Sequence, residues 1–241
     1  MRSAVTPEAS SVPEKAPTSN PGVAVVELFT SEGCSSCPAA DAAVARVAAV
    51  AERRGSPVFT VELHVDYWDY LGWRDPFDDV RFSERQAGYR ALSGSTYTPQ
   101  AVVNGVKETV GSDEARLNEL ISSALAGRAS TQLMLTAEWS GGSLLVHCHG
   151  EGIEPAQTLN LFVLENRAER GVTRGENAGE RLRHHNVARA FDSRRVPGGR
   201  FQVTWQAQLP GDLGQEGLSV LAFTERTRQA GVTGANLTVP R

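Results

Sequence analysis

The chain of 241 residues has no apolar run approaching the roughly 18 residues a helix needs to span a bilayer, which excludes a helical membrane span. It has no excess of basic charge. Twenty-four Lys and Arg against 28 Asp and Glu give a net charge of −4, so a nucleic-acid footprint is not expected. Arg167, Arg170, Arg174, Arg181, Arg183, Arg189, Arg194 and Arg195 do cluster in sequence. They are interleaved with Glu165, Glu169, Glu176 and Glu180, the pattern of a charge-paired surface. Three cysteines are too few for a disulfide scaffold, and a second CxxC for a four-cysteine zinc site is missing. No metal ligands and no cofactor are assigned. Residues 1–21 are rich in Ser, Pro, Thr, Ala and Glu and lack an apolar signal-peptide core, so they read as a disordered leader.

What is present is organised in two parts. Val23-Ala24-Val25-Val26-Glu27-Leu28-Phe29 is a β-branched apolar run, the mark of a buried strand. Ala39 to Arg54 is alanine-rich without internal Gly or Pro and predicts a helix stopped at Gly55. Val58 to Val65 predicts a second strand, parallel to the first. An aromatic insertion, Tyr67 to Trp73, precedes a predicted helix from about Asp78 to Leu92. Gln100–Val103 and Val106–Val110 flank Asn104-Gly105, a hairpin signal. Ser112 reads as the N-cap of a helix running to about Ala126. The order β-α-β-α-β-β-α over 22–128 matches a thioredoxin-like domain, so the expected class is α/β.

Beyond Ser130 the pattern changes. Gln132–Trp139, Ser143–His149, Leu159–Glu165, Phe201–Leu209 and Leu218–Glu225 are strand-like and separated by turn signals. They predict a mainly antiparallel, small sandwich-like β domain over 129–241. Asn166 to Arg200 reads as a long polar connection.

The chemistry concentrates at Cys34-Ser35-Ser36-Cys37. Spacing i, i+3 lets two sulfurs meet across one helical turn. A helix N-terminus offers free N–H groups and a positive dipole end, which favour a thiolate. On this reading Cys34 is the nucleophile and Cys37 the resolving thiol. In thioredoxin-like proteins a cis-proline lies opposite the CxxC and shapes the substrate groove, and the likeness implies that role for Thr98-Pro99, with Tyr97 and Thr98 as candidates for substrate contact. Glu27, buried in the first strand, is a candidate proton acceptor, since burial raises a carboxyl pKa toward neutrality. Trp68 and Trp73 of the aromatic insertion are candidates for substrate contact. His64 and Asp66 stand at the end of the second strand, where they could tune the site. His147 and His149 share a strand face, with Cys148 on the other.

Three stretches carry a family resemblance: Glu27 to Asp41 around the CxxC, His64 to Trp73, and Tyr97-Thr98-Pro99-Gln100. Thr173 to Gly179 and His185-Asn186-Val187 extend it into the second half. The chain resembles the family known as domain of unknown function 1223, whose members are similar to secreted or periplasmic bacterial thioredoxin-like proteins. The resemblance implies a thioredoxin-like scaffold, a periplasmic or secreted location, and dithiol and cis-proline roles for Cys34, Cys37 and Pro99. The first expectation is therefore a thiol–disulfide oxidoreductase acting on protein thiols or disulfides. Two others stand beside it. One is a metal-binding module, for copper or zinc, built on Cys34 and Cys37 with help from His147, Cys148 or His149. The other is a non-catalytic binding protein in which the disulfide is structural. No oligomeric state is implied.

Overall fold

A computed structural model describes residues 20–153, 157–226 and 231–241. The leader expected over 1–21 lies outside them except for Asn20 and Pro21, the latter bridged to Arg128. Strand β1 (Ala24–Thr30) is buried at all seven positions, as a run covered on both faces should be. Helix α1 (Cys37–Arg54) carries Pro38 in its first turn, where no intrahelical N–H is required. It ends at Gly55, with φ of 59°. Strand β2 (Val58–His64) lies parallel to β1. A 3-10 turn (Asp66–Leu71) carries the aromatic insertion. The helix expected over 78–92 is two pieces, α2 (Val80–Ala87) and α3 (Arg90–Ser93). Gly88-Tyr89 separates them, and Gly88 is an unfavourable helix-interior residue.

Strand β3 (Gln100–Val103) runs antiparallel to β1 and turns into β4 (Lys107–Val110). Asn104 and Gly105 hold φ of 52° and 70°, a combination these two residue types tolerate. Helix α4 (Glu114–Leu125) is capped by the Asp113 carboxylate, which accepts from Arg116 N. Ser112, expected as the cap, lies one residue outside it.

The rest is β: β5 (Gln132–Ser140), β6 (Ser143–Ile153), β7 (Gln157–Glu165), β8 (Ala168–Gly171), β9 (Arg181–His184), β10 (Val187–Val196), β11 (Gly199–Ala207), β12 (Leu218–Glu225) and β13 (Val232–Thr238). The described chain is thus mostly β, with mixed and antiparallel sheets. The expected connection over 166–200 contains three of these strands. β10 is ten residues long and sits inside the largest sheet.

That sheet has eight strands in the order β13-β12-β7-β10-β2-β1-β3-β4. It joins the two halves of the sequence where β10 pairs parallel to β2, Val187 opposite Glu62. One face is covered by α2 and is lined mainly by apolar side chains, from Val25, Phe29 and Val61 to Phe162, Leu164 and Phe223, with Glu27 buried among them. The other face changes cover at the join. In the first half it packs on α1 and α4 through Val26, Leu28, Val44 and Leu117. In the second half it packs on the three-stranded sheet β11-β6-β5 through Leu135, Val146, Leu161 and Val220. β8 and β9 form a separate hairpin whose second strand reaches α1.

Candidate functional site

Cys34 and Cys37 are joined as a disulfide at the start of α1. The sequence reads a reactive pair at the surface, and here the two cysteines are 1% and 0% exposed while Ser35 and Ser36 between them face solvent. The second half of the chain supplies the cover. Asn177 Nδ2 donates to the backbone oxygens of Glu32 (2.8 Å) and Cys34 (3.0 Å). Glu176 Oε2 accepts from Ser35 N at 2.9 Å. The stretch Gly175-Glu176-Asn177, which shows no chemistry in sequence, is therefore a strap across residues 32–35.

The aromatic insertion closes the other side. Trp68 Nε1 donates to Thr98 Oγ1 at 2.8 Å, and Trp73 Nε1 donates to Glu32 Oε2 at 2.8 Å. Both tryptophans are partners of the site's own residues. Thr98-Pro99 is a cis peptide. Tyr97 sits behind it, its hydroxyl bonded to Glu108 and its carbonyl accepting from Gln86 Nε2. Pro99 is held near the first turns of α1 through Gly111. A Cβ added at Gly111 would stand 2.6 Å from Leu28 Cδ1, 2.9 Å from Ala40 Cβ and 3.4 Å from Pro99 Cβ. Gly111→Val is expected to destabilise by about 1–3 kcal/mol through overpacking, read as a lower denaturation midpoint at unchanged slope.

Glu27 is buried, as the sequence suggests, but on the sheet face it shares with Val25 and Phe29, opposite the face that packs α1. There it takes Arg85 Nη2 at 3.0 Å, a second bond from Arg85 Nε, and the Tyr89 hydroxyl at 2.7 Å. Arg85 also reaches Glu225 at 3.3 Å.

The acids and imidazoles near the cysteines are others. On β2 the residues facing α1 are Thr60, Glu62 and His64, all buried. His64 Nδ1 donates to Asp75 Oδ2 at 2.7 Å, and that oxygen also accepts from Glu32 N at 2.8 Å. His184, at the end of β9, lies between Glu32 Oε1 (3.2 Å from Nε2) and Asp41 Oδ2 (3.3 Å from Nδ1). The Asp41 contact has ion-pair length without hydrogen-bond alignment. Asp41 Oδ1 accepts from Thr30 Oγ1 at 2.8 Å, one turn beyond Cys37. Burial disfavours charge on His184. The Asp41 and Glu32 carboxylates outweigh burial and push its pKa up to about 10. Burial, helped by Asp41, holds Glu62 well above the usual carboxylate range. Among the described residues Glu62, His64 and His184 are the grouping of three ligand-type side chains whose donor atoms lie within 4.8 Å of one another. It contains no cysteine.

His147 and Cys148 stand elsewhere, on β6. Cys148 is in the apolar core between the sheets, where burial pushes its thiol up to about 12. It is expected to resist alkylation in the folded protein, measured by mass after iodoacetamide treatment with and without denaturant. His147 Nδ1 is 3.1 Å from Thr204 Oγ1 on the neighbouring strand.

No curated protein matches the chain by sequence. Among solved structures, a protein of Agrobacterium tumefaciens shares 25% identity, covers 90% of this chain and 95% of its own, and superposes with a TM-score of 0.59. HBP35 of Porphyromonas gingivalis shares 17% identity over 92% of this chain and 76% of its own, with a TM-score of 0.68, a likeness of fold. A family profile described as protein of unknown function, DUF1223, matches residues 25–225, and the chain belongs to that family.

Proposed function

We propose that the chain is a thiol–disulfide oxidoreductase of thioredoxin-like arrangement, acting on protein thiols or disulfides in the periplasm or outside the cell. The observation that carries this reading is the Cys34–Cys37 disulfide at the N-terminus of α1, with cis Thr98-Pro99 held against the same helix. A helix N-terminus stabilises the thiolate form of the first cysteine. Residues 22–128 would form the catalytic part, with 129–241 as a β part that covers it. An oxidising compartment suits a disulfide of this kind.

In the reducing direction, the Cys34 thiolate attacks a substrate disulfide. One S–S bond breaks, a mixed disulfide forms, and a substrate thiolate leaves. Cys37 then attacks Cys34 Sγ, expels the second substrate thiolate, and leaves the enzyme oxidised by two electrons. The oxidising direction is the reverse. Glu27, engaged by Arg85 on the far face of the sheet, is assigned to structure in this scheme. Asp41, one turn beyond Cys37, is the nearer acid on α1.

The test is insulin reduction, or oxidation of a reduced unfolded protein, by wild type and Cys34→Ser. Wild type is expected to turn over. Cys34→Ser is expected to lose at least ~100-fold of that rate, the scale of nucleophile removal. Equal rates would refute the proposal. The near-complete burial of both cysteines favours a second reading, a structural disulfide in a non-catalytic binding protein. It predicts no turnover by either protein.

A further inference from the structure

We propose that Glu62, His64 and His184 form a site for a divalent first-row transition ion, zinc(II) being the ion tested, between β2 and the start of α1. Glu62 and His64 are 0% and His184 1% exposed, and the three present their ligand atoms within 4.8 Å of one another. Glu62 Oε1, His64 Nε2 and His184 Nδ1 all lack a hydrogen-bond partner. Buried polar atoms are almost always paired, and three unpaired in one place are what an ion would satisfy.

The remaining atoms of the same side chains are held. His64 Nδ1 donates to Asp75 and His184 Nε2 to Glu32, so each imidazole is bonded to a carboxylate that directs its other nitrogen inward. Glu62 Oε2 accepts from His185 N at 3.1 Å. A carboxylate behind each histidine is the arrangement that orients imidazoles in metal sites and raises their basicity. Asp41 Oδ2, 3.3 Å from His184 Nδ1, is a fourth donor on the α1 side. Four buried carboxyl groups around two imidazoles are an excess of acid that a divalent cation offsets. Two imidazoles and a carboxylate without thiolate suit zinc, iron(II) or manganese(II) rather than copper(I). Glu62 and His64 come from the first half of the chain and His184 from the second, so the ion would tie the two together. The inference is independent of the dithiol reading, because no sulfur is a ligand.

The experiment uses the full chain with its disulfide formed, no histidine tag, and prior chelator treatment. Zinc(II) is titrated in competition with a chromophoric chelator after long equilibration, and the melting temperature is recorded with and without the ion. One zinc per chain is expected, with a rise in Tm, and both are expected to persist in Cys34→Ser/Cys37→Ser. Glu62→Gln keeps the side-chain volume and an acceptor for His185 N, and is expected to fold while binding zinc at least ~100-fold more weakly. Asp75→Asn, a positioning change, is expected to weaken binding by roughly 10–100-fold. Should Glu62→Gln fail to fold, His64→Gln in the same titration decides. A folded wild-type chain that takes up no zinc overturns the proposal. So does wild-type affinity in a folded Glu62→Gln or His64→Gln, or binding lost with the cysteines alone.

Discussion

Arg85→Met is expected to destabilise the protein by about 3–5 kcal/mol, the cost of leaving buried charge without its partner. The guanidinium is 2% exposed and touches Glu27, Tyr89, Asn160 and Glu225. Glu27 belongs to β1, Asn160 to β7 and Glu225 to β12. One side chain from α2 thus bridges two carboxylates contributed by strands from the two halves of the eight-stranded sheet. Methionine fills much of the same volume but leaves those carboxylates facing each other in an apolar layer. At about 2–4 °C per kcal/mol for a chain of this size, Tm should fall by roughly 6–20 °C. Adding Glu27→Gln and Glu225→Gln to Arg85→Met should recover a large part of the loss, because neutral amides are far cheaper to bury. A triple variant no more stable than Arg85→Met would show that the cost comes from packing.

The strap over the cysteines gives the second large effect. Asn177→Ala removes two hydrogen bonds, to Glu32 O and Cys34 O, together about 1–3 kcal/mol. That converts to a roughly 5–150-fold faster reaction of the reduced Cys34 thiol with an alkylating reagent, if strap opening gates access. Glu176→Gln should act more weakly, since its bond to Ser35 N is at the exposed surface. An alkylation rate unchanged by Asn177→Ala would show that Cys34 is reached by another route.

The strap also shows where sequence reading stops. Strands β1 and β2, helix α1 and the β3–β4 hairpin follow from an apolar run, an alanine-rich stretch and an Asn-Gly turn, all local signals. β10 does not, because Val187-Ala188-Arg189-Ala190-Phe191-Asp192-Ser193-Arg194-Arg195-Val196 reads as polar. Arg189 finds its partners through tertiary contact: it pairs with Glu165 and Asp212 and lies over the Phe77 ring. Cys34, Cys37, Thr98 and Pro99 are visible because their chemistry and spacing are local. Glu32, Asp41, Asp75 and His184 meet only after folding, from four separated places in the chain. One signal did exist. Thr60, Glu62 and His64 alternate with Val61, Leu63 and Val65, a strand with one apolar and one polar face. Alternation of this kind is the ordinary sign of a face in water, whereas here the polar face is buried under α1. Glu27 shows the converse. Its position in an apolar strand correctly suggests burial, but nothing local reveals that Arg85 meets it there.

The measurement that bears most directly on the dithiol assignment is the reduction potential of the Cys34–Cys37 couple, by equilibration with glutathione or dithiothreitol buffers. A catalytic pair is expected to lie above about −300 mV, within the range spanned by thiol–disulfide enzymes. A value below about −300 mV, where structural disulfides of secreted proteins lie, would contradict the account and leave the disulfide as a staple for the start of α1.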